Sequence, residues 1–379
     1  MLSIDDFKSG FYGKQFDYKA FMPEKINSAW SWSDRELTRL VEKSAIAMGQ
    51  LDAYAHQIPN IDHFIRMYVV KEATVSSRIE GTQTNMEEAL LRETDIQPER
   101  RNDWFEVNNY IEALNSSIER LKELPLSSRL LKEAHKTLLT GVRGEHKLPG
   151  EFRRSQNWIG GSSLLSAVFI PPVWEEVNPL MGDIENFLHN EDTGLTNLIK
   201  IAIAHYQFET IHPFLDGNGR IGRLMITLYL VEKGIIEKPV LYLSDFFEKN
   251  RELYYDNLTR VRTQNDLLKW VKFFLVGVIE TCQNSIQTLK SIIELKKTCE
   301  ENRIYLLGKK VKTAKLLLDY LFQQPIVDAE MVSQKTEISL VSSYKLIDDF
   351  VRLKILREMT GAKRNRLFIF DEYFTLFNQ

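Results

Sequence analysis

The stretch HPFLDGNGRIGR, His212 to Arg223, gathers the residues best suited to phosphate chemistry. Asp216-Gly217-Asn218-Gly219 is turn chemistry, and two glycines allow positive φ and close approach of a ligand to the backbone. A helix expected from about Gly219 adds its orphan N–H groups and positive dipole end to the same anion site. Arg220 and Arg223, three apart, share a face of its first turn. Together these describe a polyphosphate cradle. Asp216 suits a magnesium ion, which takes one or two carboxylates plus phosphate oxygens. His212, at the mouth of the turn, is the one group there whose ordinary pKa suits a general base near neutral pH. Phe214 reads as a core anchor. Singly, each part has an ordinary reading: a plain turn, a structural histidine, arginines solvating a helix start. The assembly carries the weight.

The elements that must hold this loop are mostly helical in pattern. Ser33 and Glu36 suggest a capping box for a first helix, and a second runs from about Ile61 toward Glu80 and Gly81. Further helices are expected over 84–92, 102–122, 127–140, 174–189, 193–211, 220–233, 245–263 and 265–296. NWIGGSSLLSAVFIPP, with apolar ends around a Gly/Ser centre, reads as a β-hairpin flap. The last 75 or so residues change character. One amphipathic helix carries Leu316, Leu317, Tyr320 and Leu321, and Pro325 ends it. A short helix follows, then one with Leu340, Tyr344, Ile347 and Val351 as its apolar stripe. A closing hairpin would carry Lys363, Arg364 and Arg366 at its tip. The order resembles a winged helix-turn-helix.

The chain has 379 residues, 27% of them charged, and a formal net charge of -3. Overall charge therefore gives no reason to expect a nucleic-acid or membrane partner. Cys282 and Cys299 have no His/Cys companions at metal-ligand spacing and read as ordinary thiols. MLSIDDFKSGFYGK lacks the apolar stretch of a signal peptide, and no apolar run reaches the roughly 18 residues of a membrane span, so a cytoplasmic location is expected.

His212 to Arg223 matches without departure the motif HPFx(D/E)GNGRxxR of the Fic family, which the chain resembles. The likeness extends to AHYQFETI before the motif, to PGEFRRSQNWIGG with IPP as the family's flap, and to LYLSDFFEKNRELYYDNL after it. It covers about residues 60 to 280. The resemblance implies a mainly α Fic-type helical bundle with a β-hairpin flap, beside the small winged-helix-like domain. The division expected is 1–60 N-terminal arm and helix, 61–100 inhibitory helix region, 101–300 catalytic domain and 305–379 winged-helix-like domain. The activity implied is transfer of AMP from ATP to a Ser, Thr or Tyr hydroxyl of a target protein or of the chain itself. His212 would be the base and Asp216 the magnesium ligand. Gly217, Asn218 and Gly219 would cradle the phosphates with Ile221 and Gly222 in the same turn, and Arg220 and Arg223 would take the β- and γ-phosphates. The flap would pair with the target backbone as an added strand. Asn250 and Tyr255, or Tyr254, are candidates for the nucleoside.

SSRIEG also fits a family pattern, (S/T)xxxE(G/N), with Ser76, Glu80 and Gly81 in the matching places. Ser76 and Glu80 share a helix face, and Gly81 ends the helix so that the carboxylate projects. By resemblance Glu80 would pair with Arg223 in a bidentate contact and hold it from the γ-phosphate; the plain alternative is a surface ion pair. Two other functions stay open. One is a nucleotide-sensing regulator that binds DNA through the tail, disfavoured by Asp348 and Asp349 on the presumed recognition helix. A tail that recognises a target or pairs two copies as a homodimer is favoured over it. The other is transfer of a different phosphate-linked group, such as UMP or phosphocholine, on the same fold.

Overall fold

The computed structural model describes residues 1–58, 61–361 and 366–377. Four short strands open the chain: β1 (Leu2–Ser3) pairs in parallel with β4 (Trp30–Ser31), and β2 (Gly10–Lys14) forms an antiparallel hairpin with β3 (Lys19–Pro23). The arm expected before the first helix thus carries strands that its sequence does not announce. Helix α1 (Arg35–His56) is capped by Asp34, whose carboxylate accepts from the Leu37 N–H at 2.7 Å. Ser33, expected to cap it, is held by Asp5 instead.

Helix α2 (Asp62–Ile79) lies in the body of the protein and ends with Glu80 as its C-cap. The single helix expected over 84–92 is only α3 (Met86–Ala89), opened by an Asn85/Glu88 capping box; two short 3-10 turns then lead to α4 (Arg101–Arg120). Then come α5 (Ser128–Leu139), α6 (Val177–His189), α7 (Asn197–Ile211) and α8 (Asn218–Glu232). Every residue from Leu198 to Ile211 is buried, as is every one from Asn218 to Leu230. A helix apolar nearly all round belongs at the centre of a bundle, and α7 packs on α8 there with the motif loop as their connection. The helix expected over 245–263 is two, α9 (Ser244–Lys249) and α10 (Arg251–Gln264), because Asn250 leaves helical geometry at φ -114°, ψ 36°. Helix α11 (Leu267–Thr298) packs along α1.

The C-terminal unit comprises α12 (Val311–Gln323), β5 (Ile326–Val327), α13 (Ala329–Thr336), α14 (Leu340–Arg352), β6 (Arg357–Glu358), β7 (Phe368–Ile369) and α15 (Asp371–Thr375). Its strands pair antiparallel in the order β5-β7-β6. The unit is packed on α2: Phe322 meets Phe64 edge-on with ring centroids 5.4 Å apart, and Phe377 meets Tyr68 at 5.2 Å. The apolar stripe expected on α14 is only partly internal. Leu340, Tyr344 and Val351 are exposed, and Ser343, Leu346, Ile347 and Phe350 face the core. On α12, likewise, Leu317 and Leu321 are buried but Leu316 is exposed. Of the basic tip, Lys363 and Arg364 lie outside the described residues, and Arg366 pairs with Glu358.

Candidate active site

Helix α7 stops at His212, whose backbone turns left-handed at φ 51°. That conformation costs a non-glycine residue about 1–3 kcal/mol and persists only where the surroundings enforce it. Arg153 does so. Only 2% exposed, its guanidinium donates to the carbonyls of His212 (3.0 Å), Ile211 (3.3 Å), Ser155 (3.3 Å) and Pro172 (2.5 Å), tying the loop to both ends of the flap. The Asn157 amide adds bonds to the carbonyls of His212 and Phe214.

Underneath, the fully buried Phe214 stacks on His135 with centroids 3.8 Å apart. His135 Nδ1 accepts from the Gly150 N–H, so Nε2 carries the proton and donates to the Asp216 carbonyl at 3.1 Å. Asn218 closes the turn on itself. Its amide accepts from the Phe214 N–H at 2.8 Å and donates to the Phe214 carbonyl at 2.9 Å. The Asn218 side chain, expected to cradle phosphate, is engaged in shaping the loop, and the first N–H groups of α8, from Asn218 on, remain for an anion. Ile221 and Gly222, placed by sequence in the phosphate set, pack inward. Ile221 is fully buried, and a Cβ at Gly222 would lie 2.3 Å from Glu209 Oε1.

Helix α8 begins at Asn218, one residue earlier than expected, after Gly217 at φ 73°. Both arginines of its first turns are nearly buried and each meets a carboxylate. Arg220 donates to Glu106 Oε2 at 3.2 Å and lies 3.9 Å from Asp216 Oδ1. Glu106 also accepts from Thr82 (3.1 Å) and Arg143 (2.8 Å). Arg223 donates to Glu80 Oε1 at 2.7 Å, and to Ser76 through both its hydroxyl and its carbonyl at 2.9 Å. The contact with Glu80 is a single bond rather than the expected bidentate pair, because Ser76 takes the guanidinium's other edge. Glu80 also lies over the start of α8: a Cβ at Gly219 would be 2.2 Å from Glu80 Oε1. Only glycine leaves room for the carboxylate there.

Electrostatics follow from this geometry. Burial pushes the His212 imidazole down to about 4, although Glu80 acts against it. Burial works against the charge of Glu80, yet Arg223, with Arg220 and His212, holds its carboxyl below the usual range. Burial would lower Arg223, but Glu80 more than offsets it and the guanidinium stays protonated. Glu209, one turn before His212, is raised to about 7 by burial, with Arg223 opposing.

Asp216 is about half exposed, and its Oδ1 accepts from the Gly217 N–H at 2.7 Å. Its Oδ2 lies 3.0 Å from where a Cβ on Gly144 would be, so that glycine keeps the carboxylate's outer side open. One accessible carboxylate beside an anion cradle fits magnesium that arrives on phosphate oxygens. No cluster of three or more His, Cys, Asp or Glu that could hold a metal by themselves occurs among the described residues.

The nucleoside candidates separate. Tyr255 is 40% exposed and close enough to Glu80 and Arg223 for their charges to act on its hydroxyl. Tyr254 is buried, its hydroxyl donating to His205 Nε2 at 2.9 Å, since Nδ1 of that ring faces the Gly222 carbonyl. Asn250 donates to the Phe246 carbonyl and lines a different cleft, between α2, α9 and α11. The flap is less regular than a hairpin. One antiparallel bridge, Ile159 to Phe169, closes it, and Gly160 and Gly161 at φ 69° and 71° turn it into a short 3-10 segment. Sequence reading missed Glu106, Arg153, His135 and Glu209 as parts of the site. It also missed Arg262, whose guanidinium lies 4.0 Å from the Phe169 ring.

A helical bundle whose central helix pair presents a Gly-rich, doubly arginine-lined anion loop under a flap is the Fic class of architecture. Two family models match the chain: Fic/DOC family N-terminal over residues 38–119 and Fic/DOC family over residues 125–230. It is 36% identical over 125 residues to the protein adenylyltransferase Fic of Aedes aegypti, covering 33% of this chain and 22% of that protein. To a probable protein adenylyltransferase of Aquifex aeolicus it is 32% identical over 193 residues, 50% of this chain and 54% of that one. The chain thus spans between about a fifth and a half of these curated relatives. Among solved structures, a Fic family protein of Desulfovibrio desulfuricans superposes with a TM-score of 0.57 at 19% identity, covering 89% of this chain and 96% of that one. A Fic-domain signaling protein of Bacteroides thetaiotaomicron gives 0.53 at 21%, covering 67% and 97%. Both likenesses concern the fold.

Proposed function

We propose that the protein is a self-inhibited adenylyltransferase that moves AMP from ATP to a Ser, Thr or Tyr hydroxyl of a target protein or of itself. The observation that carries this reading is the Glu80 carboxylate lying on Gly219 and bonded to Arg223, a negative group seated in an anion cradle of adenylyltransferase type. His212 takes the proton of the incoming hydroxyl, whose oxygen bonds to the α-phosphorus as the bond to the β-phosphate bridge breaks. Arg220 and Arg223 offset the charge on the departing pyrophosphate, so catalysis is mainly positioning and charge stabilisation. Asp216 would hold magnesium, which supplies further charge to the phosphates. The two arginines favour a nucleoside triphosphate over other phosphate-linked donors. Tyr255, partly exposed beside Glu80 and Arg223, is the candidate for its nucleoside. Mass spectrometry of the Glu80→Gly protein after incubation with mixed nucleotides tests the reading: an AMP adduct is expected, and a UMP or phosphocholine mass would replace it.

The base also predicts a pH profile. His212 acts only when neutral, and its pKa lies near 4. The labelling rate of Glu80→Gly should therefore show no inflection near the ordinary histidine value of about 6.5, falling only as pH approaches 4. Removing Glu80 takes away a carboxylate that favours the protonated ring, which moves the inflection lower still. A break between pH 6 and 7 would report Glu209, whose carboxyl burial raises to about 7, rather than His212.

For the C-terminal unit, the exposed Leu340, Val341, Tyr344 and Val351 give α14 an apolar outer face. That face suits contact with a target protein or a second copy better than contact with DNA. No helix among the described residues is long and apolar enough to cross a membrane.

A further inference from the structure

A cleft of about 80 Å³ opens between α2, α9, α11 and Phe377, near the end of the described chain. Glu72, 3% exposed, lines it. One oxygen of its carboxyl accepts from the hydroxyls of Ser244 (2.6 Å) and Tyr110 (3.0 Å). The other, Oε2, is buried without a partner among the described residues. The Tyr242 hydroxyl, lining the same cleft, is buried and unpartnered as well. A buried polar atom left unbonded costs about 1–3 kcal/mol, so two beside one cleft need an explanation.

We propose that this cleft binds a small organic ammonium ion, a primary amine on a short apolar chain, with the Glu72 and Tyr242 oxygens accepting hydrogen bonds from its N–H groups. Three features select a cation. The free carboxylate oxygen needs a donor, because the hydroxyls that could serve it already bond to its twin. The rings of Tyr68, Tyr242, Phe246 and Phe377 line the cleft, and aromatic faces attract ammonium groups. The two lysines at its rim, Lys71 and Lys249, both face Asp245, at 3.3 and 3.2 Å, while Glu280 at the rim has no ion pair among the described residues. Burial raises the Glu72 carboxyl, against the Ser244 and Tyr110 bonds and the charge of Arg223. An arriving ammonium supplies the counter-charge that the carboxyl lacks.

The site shares its helix with the inhibitory segment. Glu72, Ser76 and Glu80 recur every four residues along α2, so an occupant at Glu72 rests on the same helix that seats Glu80.

Calorimetry on the full chain with n-butylammonium chloride, and with n-butanol as the neutral match, tests this without reference to catalysis. We expect the amine to bind with a Kd of about 1 mM or tighter and butanol not to bind. Glu72→Gln should weaken the amine at least ten-fold. Tyr242→Phe, which deletes only the unbonded hydroxyl, should weaken it several-fold and keeps the test valid if the first variant misfolds. No heat from the amine would mean a cleft holding water only and would overturn the proposal. Equal binding of butanol, or full affinity in both variants, would overturn it too.

Discussion

Glu80→Gly is expected to raise labelling from α-phosphate-labelled ATP by about a hundred-fold, and His212→Ala in that background to abolish it. A hundred-fold corresponds to about 2.7 kcal/mol. That is a reasonable worth for a charge-assisted bond at 2.7 Å to an arginine side chain only 2% exposed. Two effects add. The carboxylate uses Arg223, and it places negative charge on Gly219, where α8 presents its N–H groups. Removing one partner of a buried pair usually costs about 3–5 kcal/mol of stability, because the remaining charge is left without compensation. Here Ser76 still bonds Arg223 twice, so the loss should be smaller, and ATP should restore it by binding the folded state. Unchanged labelling in Glu80→Gly would sink the inhibitory role. Labelling that survives His212→Ala would remove the base.

The motif loop was legible because it is contiguous: a turn, two glycines and two arginines on one helix start can be read without knowing the fold. Ser76, Glu80 and Gly81 were legible for a similar reason, since four-residue spacing fixes a shared face. What stayed hidden was pairing across the chain. Glu106 meets Arg220 from 114 positions away, and nothing local distinguishes it from other helical glutamates. The stripe on α14 shows the same limit. Positions 340, 344, 347 and 351 make one apolar face, and 343, 346, 347 and 350 make another that overlaps it. Only the packing of α14 against the rest of its unit selects the second. The β2–β3 hairpin was missed because GFYGK and KAFMP are too short and too irregular to alternate.

Arg153 and Arg154 stand side by side in the sequence, yet their replacement should differ sharply. Arg154 is 73% exposed, and its contact is Glu151 at 3.5 Å, so Arg154→Met should change stability by no more than about 0.5 kcal/mol. Arg153 is buried, and its bonds run to four main-chain carbonyls. Burial pulls its pKa down to about 10, which still leaves it charged at neutral pH. Methionine fills much the same volume but leaves those carbonyls short of donors, at about 1–3 kcal/mol for each that finds no other. We expect Arg153→Met to lose about 3 kcal/mol in denaturant unfolding. Labelling in the Glu80→Gly background should fall by more than a hundred-fold even at temperatures where the variant is folded. The second effect follows from His212: its left-handed turn is held by the bond from Arg153 to its own carbonyl, and without that bond the imidazole leaves its place below the flap. Arg153→Lys, with the charge but fewer fixed donors, should recover stability more than rate. If Arg153→Met matched Arg154→Met in both measurements, the loop would be held by Asn157 and His135 alone, and Arg153 would have no part in positioning the base.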